Sequence, residues 1–267
     1  MADRRADVVI IAGGRIRSPE LREAAGVDVR AAIDLCGKPL LAWVLEALKA
    51  AQSIGRVCVV GDQGLLAPIT EPSGAQVIGE GVDEVDNLFR GIEALPGAEW
   101  VLLLASDVPM LTAEAVDDFL AHAPDADFVF PICEQSVTLA QYPDREWTFV
   151  KTTDGAFTGG CGFLFRPQAV LERRAWVQEV LDSRRNPWKL MRIWGLIFGL
   201  KALLHRVSVA EAEARVSKVL GLTGRAYVTQ HPDLCYDLDY APHVAQVREH
   251  MRKRQMGSHL QASGPSD

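Results

Sequence analysis

The sequence VVIIAGG at residues 8–14 is an uninterrupted apolar run that ends in Gly13 and Gly14. A run without alternating polar residues is typical of a strand that is buried on both faces, as in parallel sheets. Paired glycines directly after a strand indicate a turn, and they allow the backbone to approach a ligand closely. The sequence therefore predicts a central parallel strand with a glycine turn at its carboxyl end.

Further apolar runs alternate with amphipathic stretches as far as about residue 130. Strands are predicted at 56–60, 75–78 and 100–105, and helices at 39–48, at 83–95 and after Thr112, which is expected to cap its helix. This alternation predicts an α/β fold: a mostly parallel, twisted, Rossmann-like sheet with helices on both faces. Such sheets bind their ligands at the carboxyl edge of the strands.

The second half of the chain departs from this alternation. An irregular stretch follows residues 128–130, and then come a strand at 161–165, an extra helical segment near 167–220, a strand at 225–229 and a final helix from Pro242. We expect a single domain over residues 1–253 with a helical insertion at about 167–220. The polar residues 254–267 are expected to form a disordered tail.

Composition excludes several classes of protein. The chain has 267 residues, of which 48% are hydrophobic and 24% are charged, so disorder, collagen and coiled coil are excluded as the main architecture. A formal charge of −7 argues against nucleic acid as a partner. The five cysteines form no Cys-x-x-Cys pair, and the amino-terminal apolar run is too short for an export signal. We therefore expect a cytoplasmic protein.

The sequence AGGRIR, from Ala12 to Arg17, joins the glycine turn to two arginines. Exposed N–H groups of such a loop can bind an anion, and guanidinium groups add bidentate phosphate donors. The segment is neither a P-loop nor a dinucleotide fingerprint, because it lacks the lysine of the first and the third glycine of the second. It is either a phosphate-binding loop or an ordinary turn with solvated arginines.

Two further cations, Arg30 and Lys38, flank a short apolar segment. Arg30 is expected to lie over a polyphosphate. Lys38 stands at the start of the predicted helix 39–48, where it either contacts a ligand or is a solvated loop lysine.

Acidic residues in two places predict a metal site. Ser106 and Asp107 follow the buried strand 100–105, so Asp107 is expected at the carboxyl edge, where Mg²⁺ finds oxygen ligands. Asp237 and Asp239 are two residues apart, and in an extended segment their side chains point to the same side. The alternative role for Asp107 is a turn or a helix cap.

Polar, compact positions elsewhere suit contacts with a base or a ribose. Asn87 lies at the start of the predicted helix 83–95, and a predicted turn contains Thr158, Gly159 and Gly160. Asn87 also suits an ordinary helix cap.

Taken in chain order, these motifs resemble those of nucleotidyltransferases with a GT-A-like fold, in particular the branch of molybdenum-cofactor guanylyltransferase. The resemblance covers about residues 7–248 and includes the segment GKPLL at 37–41. Arg30 stands where the family usually has a lysine. Two further features depart from the pattern: the loop between Gly14 and Arg30 lacks the usual Arg-Met-Gly ending, and Cys161 stands where an asparagine often follows Thr-Gly-Gly. These two departures bear on the base and on the acceptor.

The resemblance implies roles for individual residues. It assigns nucleotide binding to Ala12, Gly13, Gly14, Arg15, Arg17, Arg30, Asn87 and Ser106. It assigns acceptor binding to Lys38, Thr158, Gly159 and Gly160. It assigns Mg²⁺ to Asp107 and Asp239, with Asp237 as the runner-up, and catalysis to Arg15, Arg30 and Asp107.

The implied reaction is Mg²⁺-dependent transfer of a nucleoside monophosphate from a nucleoside triphosphate to a small phosphorylated acceptor, with release of pyrophosphate. One alternative is a glycosyltransferase of the same fold that uses a nucleotide sugar. Another is a nucleotide sensor or scaffold without turnover. Pyrophosphate release distinguishes the transferase from the sensor.

A basic, apolar segment needs a separate interpretation. Residues 166–206 contain nine Arg or Lys and three Asp or Glu, and residues 193–200 are all apolar. This run is far shorter than the roughly 20 residues of a spanning helix. The segment 184–206 is expected to be a core helix, a homodimer contact or a peripheral membrane surface.

Overall fold

A computed structural model describes residues 4–183 and 193–262 of the chain. Within these residues, nine strands form one mixed sheet, and two short strands form a separate hairpin. The strands are β1 (Ala6–Ile11), β2 (Asp34–Leu35), β3 (Lys38–Pro39), β4 (Ile54–Gly61), β5 (Gln76–Gly79), β6 (Val101–Ala105), β7 (Phe128–Glu134), β8 (Val150–Thr152), β9 (Gly155–Gly159), β10 (Gly162–Phe165) and β11 (Gly224–Thr229).

The helices of the described residues connect these strands or cover the sheet. They are α1 (Pro19–Ala25), α2 (Leu40–Ala50), α3 (Gln63–Thr70), α4 (Glu84–Glu93), α5 (Ala113–His122), α6 (Gln135–Gln141), α7 (Pro167–Leu171), α8 (Arg174–Ser183), α9 (Leu196–Leu203), α10 (Val209–Leu220) and α11 (Ala241–Ala262). Asp83 and Thr112 cap α4 and α5 with their side chains, because each accepts a hydrogen bond from a backbone N–H of the first turn.

The large sheet has the order β5-β4-β1-β6-β10-β7-β9-β8, and β11 pairs with β7. Strands β5, β4, β1 and β6 are parallel, as are β7 and β11, whereas β10 is antiparallel to both β6 and β7. The predicted α/β fold with a mostly parallel sheet is therefore confirmed. The carboxyl ends of the parallel strands and the amino end of β10 meet at one edge, which we call the carboxyl edge.

Strand β1 lies between β4 and β6 and is buried on both faces. Val8 and Ile10 belong to an apolar layer that also contains Leu41 of α2 and Phe119 of α5. Val9 belongs to the layer on the other face, beneath α4. Both faces of β1 are covered, which explains why its sequence shows no polar alternation.

The irregular stretch predicted after residue 130 contains regular structure. Strand β7 extends to Glu134, α6 follows it directly, and β8 and β9 form a hairpin. The final helix α11 runs to Ala262 and so passes residue 254, where the sequence predicts that a tail begins.

The predicted helical segment 167–220 contains α7, α8, α9 and α10, and residues 184–192 within it lie outside the described residues. The interpretation of 184–206 as core, dimer contact or membrane surface can therefore be followed only from residue 193 onward. There, α9 exposes apolar side chains, including Ile197 and Leu203. Over residues 4–183 and 193–262, no helix has both the length and the apolar character needed to cross a membrane.

Helix α4 packs closely on the sheet at Gly91. A Cβ atom there would collide with Cγ1 of Val9 and would lie 3.2 Å from Cγ2 of Val60. By contrast, a Cβ at Gly64 of α3 would meet only Asp62, at an ordinary 3.4 Å.

We expect Gly91→Ala to lower the free energy of unfolding by about 1–3 kcal/mol, because overpacking at Val9 outweighs the better helix propensity of alanine. Gly64→Ala is the matched control and should leave stability equal or higher. Urea denaturation of both variants measures the difference. Equal effects of the two substitutions would contradict close packing of α4 on β1.

Candidate active site

Arg30 joins two of the predicted metal ligands. Its Nη1 lies 2.6 Å from Oδ2 of Asp107 and 3.0 Å from Oδ1 of Asp239. The structure thus brings together one cation and two carboxylates that are widely separated in sequence. Because both carboxylates contact the same nitrogen, they face each other across it.

Three connections position these side chains at the carboxyl edge. Asp107 lies two residues beyond the end of β6, and its backbone carbonyl accepts a hydrogen bond of 2.9 Å from the N–H of Leu238, between the two late aspartates. The backbone N–H of Arg30 reaches the carbonyl of Gly14 at 3.4 Å. The glycine loop, the end of β6 and the segment before α11 therefore converge.

A second ion pair holds Asp237. The guanidinium of Arg145 donates one hydrogen bond to the Asp237 carboxylate and another, of 2.8 Å, to its carbonyl. Its central carbon lies 4.1 Å from the centre of the Tyr236 ring and 4.3 Å from that of Trp147. Arg145 is only 7% exposed. Sequence reasoning missed this residue, since it lies in the stretch interpreted as irregular and its partner is 92 positions away.

Burial shapes the charge of the carboxylates. It raises the pKa of Asp107 above its ordinary value, and the Arg30 guanidinium opposes this rise. Burial, together with the neighbouring Asp237 carboxylate, raises the pKa of Asp239 to about 6. The three carboxylates face two guanidinium groups, so the cluster keeps an excess of negative charge that favours binding of a further cation.

The donor set fits a Mg²⁺ ion that is shared with a ligand. Mg²⁺ is usually held by one or two carboxylates plus water and phosphate oxygens, and Asp107 and Asp239 can supply such a pair. In the described part of the chain, no group of three or more His, Cys, Asp or Glu is arranged to hold a metal by itself. The remaining ligands of a bound Mg²⁺ would be water molecules or oxygens of a bound ligand.

The loop that follows β1 presents two exposed arginines. The side chains of Arg15 and Arg17 are exposed, and no side chain of the described residues pairs with them. The backbone of Arg15 bridges to Val29, which folds the loop back toward Arg30. A Cβ at Gly13 would meet the end of the exposed Glu80 side chain, which would have to move aside. The preceding Ala12 is buried and Gly14 is exposed.

Asn87 and Ser106 are buried near the same edge. The side-chain oxygen of Asn87 accepts a hydrogen bond of 2.6 Å from the N–H of Gly81, so this amide orients the loop before α4. Its predicted contact with a base or a ribose stays a prediction.

The residues predicted to bind the acceptor lie in two places. Thr158 and Gly159 belong to β9 rather than to a turn, and Gly160 donates a hydrogen bond of 2.8 Å to the carbonyl of Pro131. Lys38 instead pairs with Glu46 at 2.6 Å and lies 4.4 Å from the centre of the Trp43 ring. In the described structure, Lys38 makes no ion pair with Asp107, Asp237 or Asp239.

We expect Arg30→Ala to lower the free energy of unfolding by about 3 kcal/mol at pH 8, because it leaves the buried Asp107 carboxylate unpaired. In this variant, the pKa of Asp107 in the folded protein would rise further above its unfolded value. The loss in free energy of unfolding, relative to the unsubstituted protein, should therefore decrease as the pH falls toward 5. Adding Asp107→Asn should recover part of the loss at pH 8. Urea unfolding at several pH values measures these differences.

Arg174→Ala is the matched control, since this arginine makes an exposed ion pair with Asp86. It should change the free energy of unfolding by less than about 1 kcal/mol at any pH. An equal effect of the two arginine substitutions would contradict the structural role of Arg30.

In sequence and fold, this chain is similar to transferases of known structure. A hypothetical transferase from Thermus thermophilus is 32% identical, with a TM-score of 0.80 over 90% of this chain and 99% of that one. A CMP:2-keto-3-deoxy-manno-octonic acid synthetase complexed with CTP is 15% identical, with a TM-score of 0.59 over 94% and 99% of the two chains. At that identity, the second likeness concerns the fold alone.

Among curated proteins, a 2-C-methyl-D-erythritol 4-phosphate cytidylyltransferase from Synechococcus sp. is 33% identical over 138 residues, which are 46% of this chain and 61% of the relative. The protein of that name from Synechocystis sp. is 35% identical over 79 residues, which are 27% of this chain and 34% of the relative. The chain thus spans between about a third and three-fifths of the length of these relatives.

A family profile covers nearly the whole domain. The profile described as "MobA-like NTP transferase domain" matches residues 8–262, from β1 to the end of α11. The match includes the glycine loop, Arg30 and all three aspartates of the site. The chain therefore belongs to the family of proteins with a MobA-like NTP transferase domain.

Proposed function

We propose that this protein transfers a nucleoside monophosphate from a nucleoside triphosphate to a phosphorylated acceptor and releases pyrophosphate. The observation that carries the proposal is the meeting of Arg30 with Asp107 and Asp239 beside the glycine loop of β1. A cationic loop next to paired carboxylates has the charges that a triphosphate and its divalent cation require. Family membership supports the same class of reaction.

The reaction exchanges one bond to phosphorus for another. An oxygen of the acceptor phosphate forms a bond to the α-phosphorus while the bond between the α-phosphorus and the α–β bridging oxygen breaks. The electron pair of the broken bond leaves with pyrophosphate. An ionised acceptor phosphate has no proton to lose at this step, so the reaction needs no general base. The protein contributes positioning and neutralisation of charge.

Each charged group has a part in this scheme. The exposed Arg15 and Arg17, with the N–H groups of the glycine loop, hold the triphosphate. Arg30 exchanges its carboxylate partners for phosphate oxygens and neutralises the charge that develops near the α-phosphorus. Asp107 and Asp239 would hold Mg²⁺, which when bound draws negative charge from the phosphate oxygens. Asp237 stays paired with Arg145.

The remaining roles extend the proposal to base and acceptor. Asn87 and Ser106 would contact the base or the ribose, and residues 158–160 would contact the acceptor. Lys38 would have to release Glu46 before it could join them. Because the curated relatives are named as cytidylyltransferases, CTP is the nucleotide we expect. The five cysteines are unpaired, which supports the expectation of a cytoplasmic reaction.

The first test is a thermal-shift comparison of ATP, GTP, CTP and UTP, each with and without Mg²⁺. At a hundred times its Kd, a nucleotide that binds only the folded state should raise the Tm by roughly 5 °C or more. We expect one nucleotide, CTP, to do so in a Mg²⁺-dependent way. Binding without pyrophosphate release, tested over a panel of phosphorylated acceptors, would favour a sensor. A shift with nucleotide sugars alone would favour a glycosyltransferase.

We expect Asp107→Asn to lower the rate of Mg²⁺-dependent pyrophosphate release by roughly a hundredfold or more, because it removes a charge that orients the triphosphate and its cation. The change is nearly isosteric, so the fold should persist by circular dichroism. Asp125→Asn is the matched control, since Asp125 pairs with Arg166 on the exposed surface. Wild-type activity in the Asp107 variant would refute the assignment.

A further inference from the structure

A cavity of about 460 Å³ lies on the α4 side of the sheet. Its floor includes Leu103 of β6, Phe128 of β7 and Phe163 of β10, and its other walls come from α4, α7, α8 and α10. Trp176 and Trp194 also line it. This volume is within the range of cavities that bind small molecules.

The lining of the cavity is almost wholly apolar. The rings of Phe128 and Phe163 pack 5.2 Å apart on its floor. Arg173 reaches the lining, but its guanidinium donates to the backbone carbonyls of Ala169, Leu220 and Gly221. Glu84, the other charged residue among the described lining residues, also has a partner. Among these residues a base, sugar or phosphate would lose its hydrogen bonds to water without finding replacements, whereas a hydrocarbon chain would not.

One end of the cavity reaches the carboxyl edge of the sheet. Ile11, Ala105 and Cys161 line that end. Gly13 of the glycine loop follows Ile11 by two residues, and Asp107 follows Ala105 by two residues. The charge of Asp107 is close enough to contribute to the raised pKa of the Cys161 thiol, although burial is the main cause. This end of the cavity therefore lies at the edge of the sheet that also carries the carboxylates.

We propose that the acceptor is a phosphorylated long-chain alcohol whose phosphate lies beside Arg30 and whose hydrocarbon chain occupies this cavity. The proposal rests on the function proposed above and names the class of acceptor for it. The product would be a nucleoside diphosphate ester of the alcohol, formed by the same exchange of bonds at the α-phosphorus.

The helix next to the cavity suits such a substrate. Trp194, which lines the cavity, lies 6.4 Å from Phe198 of α9 between ring centres. On the same helix, Ile197 and Leu203 are 76% and 75% exposed. Such an exposed apolar helix can contact a lipid surface, and the hydrocarbon chain of the acceptor can then pass along the helix into the cavity.

The test measures binding of n-alkyl phosphates with 2, 6 and 10 carbons, below their micelle concentrations, by the fluorescence of the cavity tryptophans. Each buried methylene contributes up to roughly a fourfold gain in affinity. We therefore expect decyl phosphate to bind at least about a hundredfold more tightly than ethyl phosphate. Radiolabelled CTP, or another nucleotide that binds, should then yield a labelled decyl product and pyrophosphate.

Replacement of either of two alanines by phenylalanine gives a matched pair of variants. Ala169 lines the cavity, whereas Ala175 is exposed on α8. Ala169→Phe should weaken decyl phosphate binding at least tenfold and leave the nucleotide thermal shift unchanged, which also shows that the variant is folded. Ala175→Phe should change neither.

The outcomes separate the two proposals. If the unsubstituted protein binds no nucleoside triphosphate, the proposed transferase function fails, and this acceptor assignment fails with it. If it binds nucleotide with Mg²⁺ but its affinity for alkyl phosphates does not depend on chain length, only the acceptor assignment is overturned. Equal effects of the two alanine substitutions on decyl phosphate binding would also overturn it.

Discussion

The guanidinium of Arg30 holds together two carboxylates that come from distant parts of the chain. Asp107 lies two residues beyond the central strand β6, and Asp239 lies just before the last helix. A buried carboxylate without a partner costs several kcal/mol, so the buried Asp107 depends on the Arg30 guanidinium. The glycine loop, the end of β6 and the segment before α11 are all constrained by that requirement.

Much of the fold was predictable because burial on both faces leaves a pattern in the sequence. The run at 8–12 has the composition of a strand covered on both sides, and the similar run at 100–105 predicts that Asp107, just beyond it, lies at the carboxyl edge. The pairing of Asp107 with Asp239 was expected from the resemblance to the nucleotidyltransferases, and in the structure both side chains contact Arg30.

Other parts of the site left no local pattern. Arg145 lies in a stretch without periodicity, and its role depends on Asp237 and on two aromatic rings that only the folded chain brings near. The sequence allows Lys38 to be either a ligand-binding residue or a loop lysine, and in the structure Glu46 of α2 forms an ion pair with it. The short hairpin β8–β9 and helix α6 are stabilised by pairing with or packing on β7 rather than by their own sequences. Sequence reasoning cannot detect such long-range partners.

Arg30 also gives the two carboxylates a counter-charge that belongs to the protein itself. In a domain that folds only around a metal ion, the free energy of metal binding stabilises the fold, so a chelator that removes the ion unfolds the domain. Here a side chain already balances part of the charge of Asp107 and Asp239. The apoprotein should therefore survive exhaustive chelation intact, and one preparation can be reloaded with different divalent ions in turn.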